Sequence, residues 1–316
     1  MIIGRSPSLR RALVLAERYA RTRLPILIVG ATGTGKELLA QHIHERSGRP
    51  GPFVDVNSCA LPLDMVESLL FGHRRGAFTG AVESTVGYLE RSDGGTLFLD
   101  ELAGLAAAAQ GKLLRVLETG YVEALGAGAK RRVDLRVVSA AQDTMARAVA
   151  TGRFRQDLFQ RLAGAVIELL PLADRSEDVM PLAEHFAAVR GRSLEPGVEE
   201  ELLRYEWPGN VRELQMAIER AGELGENGSL SRAAVAEAIK LGQLTHRTLP
   251  GEPDERAEFL RTCRAHGWNT AGIMTQLGIS RTTLNRRLRE LGISLREVKK
   301  YHFVAGCAEQ SDQRGR

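Results

Sequence analysis

Cysteine is scarce in this 316-residue chain: Cys59, Cys263 and Cys307 lie scattered, with neither a pairing pattern nor a metal-ligand spacing. That excludes a disulfide-stapled scaffold and a cysteine-based metal framework, and it reads as reduced thiols in a cytoplasmic protein. Long apolar runs are missing as well. The longest, around 24–29 and 102–109, fall far short of the roughly 20 residues needed to cross a bilayer, so no membrane partner is expected. The first residues carry no basic stretch followed by an apolar block, so no secretory leader is expected. No internal repeat is found.

What remains is ordinary globular composition, 43% hydrophobic and 26% charged, in a chain long enough for two or three domains. The net charge of +4 is unevenly spread: residues 255–300 carry +6, residues 301–316 balance, and residues 1–254 are left with −2. A basic block behind a near-neutral body fits nucleic acid held by that part of the chain, and it fits a solvated charged helix equally well. Charge alone does not choose.

Short, branched, nearly continuous apolar runs at 26–29, 96–99 and 135–139 have the character of strands buried on both faces of a parallel sheet. Helical patterns at 36–45, 63–70 and 107–118 lie between them, which implies an α/β sandwich. From about 171 only helical patterns follow, at 177–189, 197–205, 211–224 and 231–241. The expected organisation is an α/β part over 1–170, a small helical part over 171–245, a Pro/Gly-containing linker over 246–254, a three-helix part over 255–298 and a polar tail over 299–316.

Gly30-Ala31-Thr32-Gly33-Thr34-Gly35-Lys36 follows the first strand directly and opens a helix. Glycines there let backbone N–H groups turn toward phosphate oxygens, the helix N-terminus adds positive dipole, and Lys36 reaches the outer phosphates. This is a P-loop for a nucleoside triphosphate such as ATP. Glu37 stands where Ser or Thr commonly assists Mg²⁺. A second buried strand ends in Asp100-Glu101. Asp100 is placed to hold Mg²⁺ and Glu101 to polarise an attacking water.

With these motifs in place the chain resembles the AAA+ P-loop NTPase domain of bacterial sigma-54-dependent transcription activators, with its α-helical lid, followed by their all-α Fis-type helix-turn-helix domain. The resemblance runs from Ile3-Gly4-Arg5-Ser6 to about Ser294, and in that family Glu at position 37 is usual. Its most discriminating element is Gly76-Ala77-Phe78-Thr79-Gly80-Ala81. Taken alone, that segment is a glycine-bounded loop with an exposed aromatic. The resemblance implies that it grips sigma-54 of the RNA polymerase holoenzyme, with Phe78 and Thr79 as contact residues.

The resemblance further implies that Asn57 is a switch holding Glu101, and that Arg155 and Arg161 are fingers completing a neighbouring subunit's site in a ring, expected to be a hexamer. Such fingers are worth about 10³–10⁵ in rate. Arg212, in Trp207-Pro-Gly-Asn-Val-Arg212, would touch the γ-phosphate from the lid, and Gln142 would do so from the sheet. Three positions depart from the family pattern: Ala31 and Leu69 each replace Glu, and Ala141-Gln142 replaces Thr-Asn. Gln142 is one methylene longer than Asn, which is expected to slow turnover.

Residues 269–277, 278–280 and 281–291 read as helix, tight turn and helix, with Leu284 and Leu288 forming one apolar face. Arg281, Thr282, Asn285 and Arg286 are candidates for base contacts in double-stranded DNA, and Arg287 and Arg289 for phosphate contacts. The Fis-like resemblance implies a dimeric unit reading palindromic half-sites of an enhancer. Because the chain starts close to the first helix of the ATPase domain, no N-terminal regulatory domain is expected. Control would then come from a separate regulatory protein or a mixed ring. Two other readings stay open: a DNA-binding regulator with impaired ATPase, and a remodeller of another client.

Overall fold

The computed structural model describes residues 2–142, 144–225, 228–248, 262–263, 269–277, 281, 283–284 and 288. The chain divides into two compact units, Met1–Gln243 and Leu244–Arg316. In the first unit, helix α1 (Pro7–Ala20) precedes strand β1 (Ile26–Val29), helix α2 (Lys36–Ser47), strand β2 (Phe53–Asn57), helices α3 (Val66–Phe71) and α4 (Tyr88–Arg91), and strand β3 (Thr96–Asp100). Helix α5 (Ala107–Thr119), a hairpin of β4 (Tyr121–Glu123) and β5 (Lys130–Arg132), strand β6 (Arg136–Ala141), helices α6 (Thr144–Ala150) and α7 (Gln156–Leu162), and strand β7 (Ala165–Glu168) complete the α/β part.

The main sheet is parallel, in the order β2-β3-β6-β1-β7. Every residue of β6 is buried, as are four of five in β3, which is why these strands have no alternating pattern. One face packs against Leu70, Phe71, Leu102, Leu113 and Leu158. The other packs against Leu9, Ala16, Leu39 and Ile43 of α1 and α2. Each fully buried Leu or Ile contributes about 1.5–3 kcal/mol over an exposed one. Because all strands run the same way, their carboxyl ends share one edge: Asn57 is opposite Asp100, and Val29 is opposite both Ala141 and Glu168. Ligand sites of open α/β sheets form along that edge.

Helices α8 (Val179–Val189), α9 (Val198–Arg204), α10 (Asn210–Leu224) and α11 (Arg232–Thr248) follow, packed around Leu172, Leu182, Trp207, Leu214 and Ile218. The all-helical expectation for this part needs one amendment: the two-residue strands Ser193–Leu194 and Ser229–Leu230 pair with each other. Residues 246–248, expected to open the linker, are helical. Helix α11 continues to Thr248, because nothing in its sequence stops a helix before Pro250. The rest of that linker and the tail from 299 lie outside the described residues. In the second unit, α12 (Thr270–Leu277) occupies the expected first helix, and Ile273, Leu284 and Leu288 are buried as an apolar face requires.

Candidate nucleotide site and partner loop

The loop from Gly30 to Gly35 turns at the carboxyl end of β1, with Gly33 and Gly35 at φ 77° and 99°, where a side chain would be strained. A Cβ on Gly33 would also strike the Gly209 carbonyl of the lid. Lys36 folds back onto the loop, its Nζ donating to the carbonyls of Gly30 and Ala31 at 2.9 Å each. Thr34 Oγ1 donates to the same Ala31 carbonyl at 2.8 Å. Thr32 contributes its carbonyl to the lid, accepting from Asn210 Nδ2 at 2.9 Å.

Asp100 ends β3 at the same sheet edge as the loop, and its Oδ1 accepts from the Glu101 N–H at 2.8 Å. Glu101 sits at φ 49°, ψ 48°, a left-handed conformation that costs a non-glycine residue of order 1–3 kcal/mol and is characteristic of functional turns. Glu37, in the first turn of α2, lies near Asp55 of β2, whose carboxyl is pushed up by partial desolvation, then by Glu37 and by Asp100. Asn57 stands next to Asp100 in register, but its Oδ1 accepts from the N–H groups of Cys59 and Ala60 at 2.9 and 3.2 Å. Among the described residues no hydrogen bond joins it to Glu101, the contact expected of a switch. Gln142 follows β6 at the same sheet edge, where the Ala141 carbonyl accepts from Gly30 N–H at 3.2 Å.

The lid meets the P-loop through the start of α10. Asn210 accepts from Leu172 N–H at 2.7 Å while donating to Thr32, and Val211 N–H donates to the Gly33 carbonyl at 3.0 Å. Arg212, in the first turn of α10, is exposed, and its Cβ lies close to Gly33. Between the N-terminal segment, α2 and the lid lies a mostly apolar cavity of about 140 Å³ lined by Ile3, Thr34, Leu38, Leu182, Phe186 and Val211, among others. Its chemistry suits a flat heterocycle attached to phosphates on the loop.

The segment Gly76–Ala81 is a closed loop: Gly76 N–H donates to the Ala81 carbonyl at 2.9 Å, with Gly76 and Gly80 at φ 81° and 101°. Phe78 is 44% exposed and leans on the His73 ring, centroids 5.0 Å apart. Ala77 packs against Gly126, and Thr79 and Gly80 are exposed at the tip. The segment leading into the loop is held by the β4–β5 hairpin, through Arg74 N–H donating to Leu125 O at 2.9 Å, and α3, which precedes it, is tied to α5 by the Glu67–Lys112 pair at 2.7 Å. Leu69 is half-buried in α3, ahead of the loop in sequence.

Arg155 is the N-cap of α7 and Arg161 lies in its last turn, and both are exposed. Arg155 forks onto its own neighbour Asp157, with N···O distances of 3.0 and 2.7 Å, which holds the Asp157 carboxyl down at about 2. Arg161 donates to Leu117 O at 3.1 Å. Neither finger touches the P-loop of its own chain among the contacts described. In the second unit Arg281 is helical and exposed, whereas Thr282, Asn285, Arg286, Arg287 and Arg289 lie outside the described residues.

Three contributors escaped sequence reasoning. Buried Gln110 of α5 donates to Leu105 O and Arg153 O and accepts from Arg155 N–H at 2.9 Å, so it fixes the backbone of the finger. Arg175 and Asp178, at the start of the lid, are almost fully buried. A charged Arg-Ser-Glu-Asp stretch reads as solvated surface, and only the fold shows otherwise.

Two family models match the chain: "Sigma-54 interaction domain" over residues 2–168 and "AAA+ ATPase lid domain" over residues 173–250. The chain is 39% identical to the DNA-binding transcriptional activator HyfR of Escherichia coli, over 94% of this chain and 48% of that protein. It is 36% identical to the Nif-specific regulatory protein of Azotobacter vinelandii, over 94% of this chain and 60% of that one. It thus spans about half the length of the relatives it matches. Among solved structures, NtrX from Brucella abortus in complex with ATP aligns at TM-score 0.69 and 31% identity, covering 93% of this chain and 70% of that chain. RuvB of Thermotoga maritima, at 16% identity and TM-score 0.52, shares the fold alone. Phosphate loop, acidic strand end, docked lid and glycine-bounded loop thus coincide with two matching family models in chain order, and the chain belongs to the family of sigma-54-dependent transcriptional activators.

Proposed function

We propose that this chain is an ATP-dependent transcriptional activator that binds enhancer DNA and remodels sigma-54 RNA polymerase, coupling ATP hydrolysis to the loop Gly76–Ala81. The observation that carries the reading is that Asp100 ends its strand at the same sheet edge from which the P-loop and Lys36 emerge, with the start of α10 hydrogen-bonded to that loop. ATP binding is supported by the glycine-formed loop, the adjoining cavity and the likeness to an ATP-bound relative.

In this reading the backbone of residues 30–35 cradles the phosphates and Lys36 leaves the Gly30 and Ala31 carbonyls to pair with them. Glu101 orients the attacking water and accepts its proton. Arg212 steadies the terminal phosphate from the lid, and Gln142 does so from β6. Arg155 and Arg161 act across a ring interface, expected to be hexameric, where they balance charge that develops in the transition state. The acids at this edge fit Mg²⁺, because carboxylate oxygens are its preferred protein ligands and Asp55 already registers the crowding of Glu37 and Asp100. Among the described residues no three such side chains converge on one point. Asp100 would therefore hold the ion together with phosphate oxygens and water. Mg²⁺ supplies charge neutralisation at the outer phosphates.

Exposed Phe78 and Thr79 would engage sigma-54. Arg281, Thr282, Asn285, Arg286, Arg287 and Arg289 would read and hold the DNA, and a separate regulatory protein would set activity. The reading is tested with purified protein, sigma-54 and a transition-state nucleotide mimic. The unaltered chain should hydrolyse ATP with a rate that rises with protein concentration, and should bind sigma-54. Thr79→Ala should keep hydrolysis and lose binding. Absence of ATPase at high concentration with DNA would overturn the coupled mechanism, and ATPase without any sigma-54 binding would point to another client.

A further inference from the structure

The cavity beside the P-loop is walled on one side by residues 2–3, which belong to no helix or strand. An apolar wall holds a ligand only if its backbone is held first, and the structure shows what holds it. Asp178 of the lid is completely buried, and its carboxylate gathers three donors from the N-terminal segment. Its Oδ1 accepts from the N–H groups of Arg5 and Ser6 at 2.6 and 2.7 Å, and its Oδ2 accepts from Ser6 Oγ at 2.7 Å. Gly4 passes so close that a Cβ there would lie 2.7 Å from the Asp178 carboxyl carbon. On the far side, Arg175 sets its guanidinium 3.7 Å from Asp178 Oδ2 and donates to the carbonyl of P-loop Thr34 at 2.8 Å. Arg175 is 3% exposed, and its burial would be unfavourable without this partner.

Ser6, Asp178, Arg175 and Thr34 thus form one buried chain from the N-terminal wall, through the lid, to the phosphate loop. We infer that Asp178 and Arg175 are positioning residues of the nucleotide site. Asp178, through Ser6, sets the wall that contacts the adenosine end, and Arg175 sets the P-loop against the lid. This rests on reading the cavity as the adenosine end of an ATP site.

The two ends make separable predictions. Cutting the wall end at Ser6 should weaken ligands that carry a base and spare those that are phosphate alone, because Arg175 keeps both Asp178 and the P-loop. Cutting at Arg175 should weaken both. Calorimetric titration of the full chain with ADP and with inorganic tripolyphosphate reads this directly. Ser6→Ala removes one donor and Asp178→Asn removes the charge. Ser6→Ala should lower ADP affinity about fivefold to twentyfold while tripolyphosphate affinity stays within twofold, whereas Asp178→Asn also leaves buried Arg175 without its charge partner and should lower both. Arg175→Met should lower both. In steady state Ser6→Ala should raise KM for ATP with little change in kcat.

Should Asp178→Asn prove poorly folded, Ser6→Ala carries the test, since it leaves the two backbone donors in place. Unchanged ADP affinity, or equal loss of ADP and tripolyphosphate affinity in Ser6→Ala, overturns the assignment and leaves a purely structural clasp. If the unaltered chain binds tripolyphosphate but not ADP, the reading of the cavity itself falls. If it binds neither, the nucleotide site falls and the assignment with it.

Discussion

The carboxamide of Asn210 joins lid to phosphate loop: its Nδ2 donates to the Thr32 carbonyl at 2.9 Å while its Oδ1 accepts from Leu172 N–H at 2.7 Å. Asn210 is buried at φ 56°, a left-handed conformation that asparagine tolerates better than most residues. Asn210→Ala therefore removes two buried hydrogen bonds and meets backbone strain as well. The expected cost is roughly 2–4 kcal/mol, with a raised KM for ATP. Asn210→Gly should be milder by about 1 kcal/mol, since glycine accepts the backbone freely. Denaturant melts of the two variants check the order, and equal losses would show that strain contributes nothing.

Lys36 and Glu101 should separate binding from turnover. Lys36→Ala is expected to abolish detectable ATP binding. Glu101→Gln should retain it and lose about 10²–10⁴ in kcat, the usual contribution of a positioned base. Titration with a fluorescent ATP analogue alongside a phosphate-release assay measures both. Retained hydrolysis in Glu101→Gln would move the base elsewhere.

Gln142 follows β6 at the sheet edge, where the resemblance implies a shorter amide. Gln142→Asn should raise kcat severalfold without altering ATP affinity. A fall in kcat would mean that the longer side chain is matched to this site.

Arg155 is paired with Asp157 in its own chain and must leave it to act on a neighbour. Arg155→Ala and Lys36→Ala should each be inactive alone, one lacking the finger and the other the phosphate clamp. Mixing them should restore part of the ATPase, because one chain's intact P-loop then meets the other's intact finger. Failure to complement would place Arg155 outside the active site.

His44 brings a pH dependence. Its Nδ1 lies 2.9 Å from Thr96 Oγ1, and its pKa is lowered from 6.5, first by burial and further by Arg49 and Arg136, while Glu45 opposes. With the folded value below the unfolded one, the unfolded chain binds the extra proton first. Stability is then full above about pH 6.5 and falls as pH drops from there toward the folded value. The Tm should decline between pH 7 and pH 5, and His44→Gln should flatten that slope. An unchanged slope would assign it to other groups.

The sequence exposed the elements whose patterns are dictated locally. Strand β1 falls where its apolar run lies because burial on both faces leaves no room for polar residues, and Gly30–Lys36 is legible because backbone geometry demands glycine at fixed positions. Strand β7 was missed: it is a four-residue edge strand with Val166 and Glu168 exposed, so only half its residues are buried and its apolar run is too short to stand out. The β4–β5 hairpin was missed because all three residues of β5 are exposed and charged, and pairing alone makes it a strand. Yet that hairpin supports the loop Gly76–Ala81.

By itself the sequence determined the phosphate loop, the acidic strand end, the glycine-bounded loop and their order, since each depends on residue types within a few positions. Only the tertiary structure decided what holds them in place. Asp178 meets Ser6 across 172 positions, and Asn210 meets Thr32 across 178. A buried charge or amide is satisfied by whichever partner the fold brings near, and nothing in local sequence names that partner.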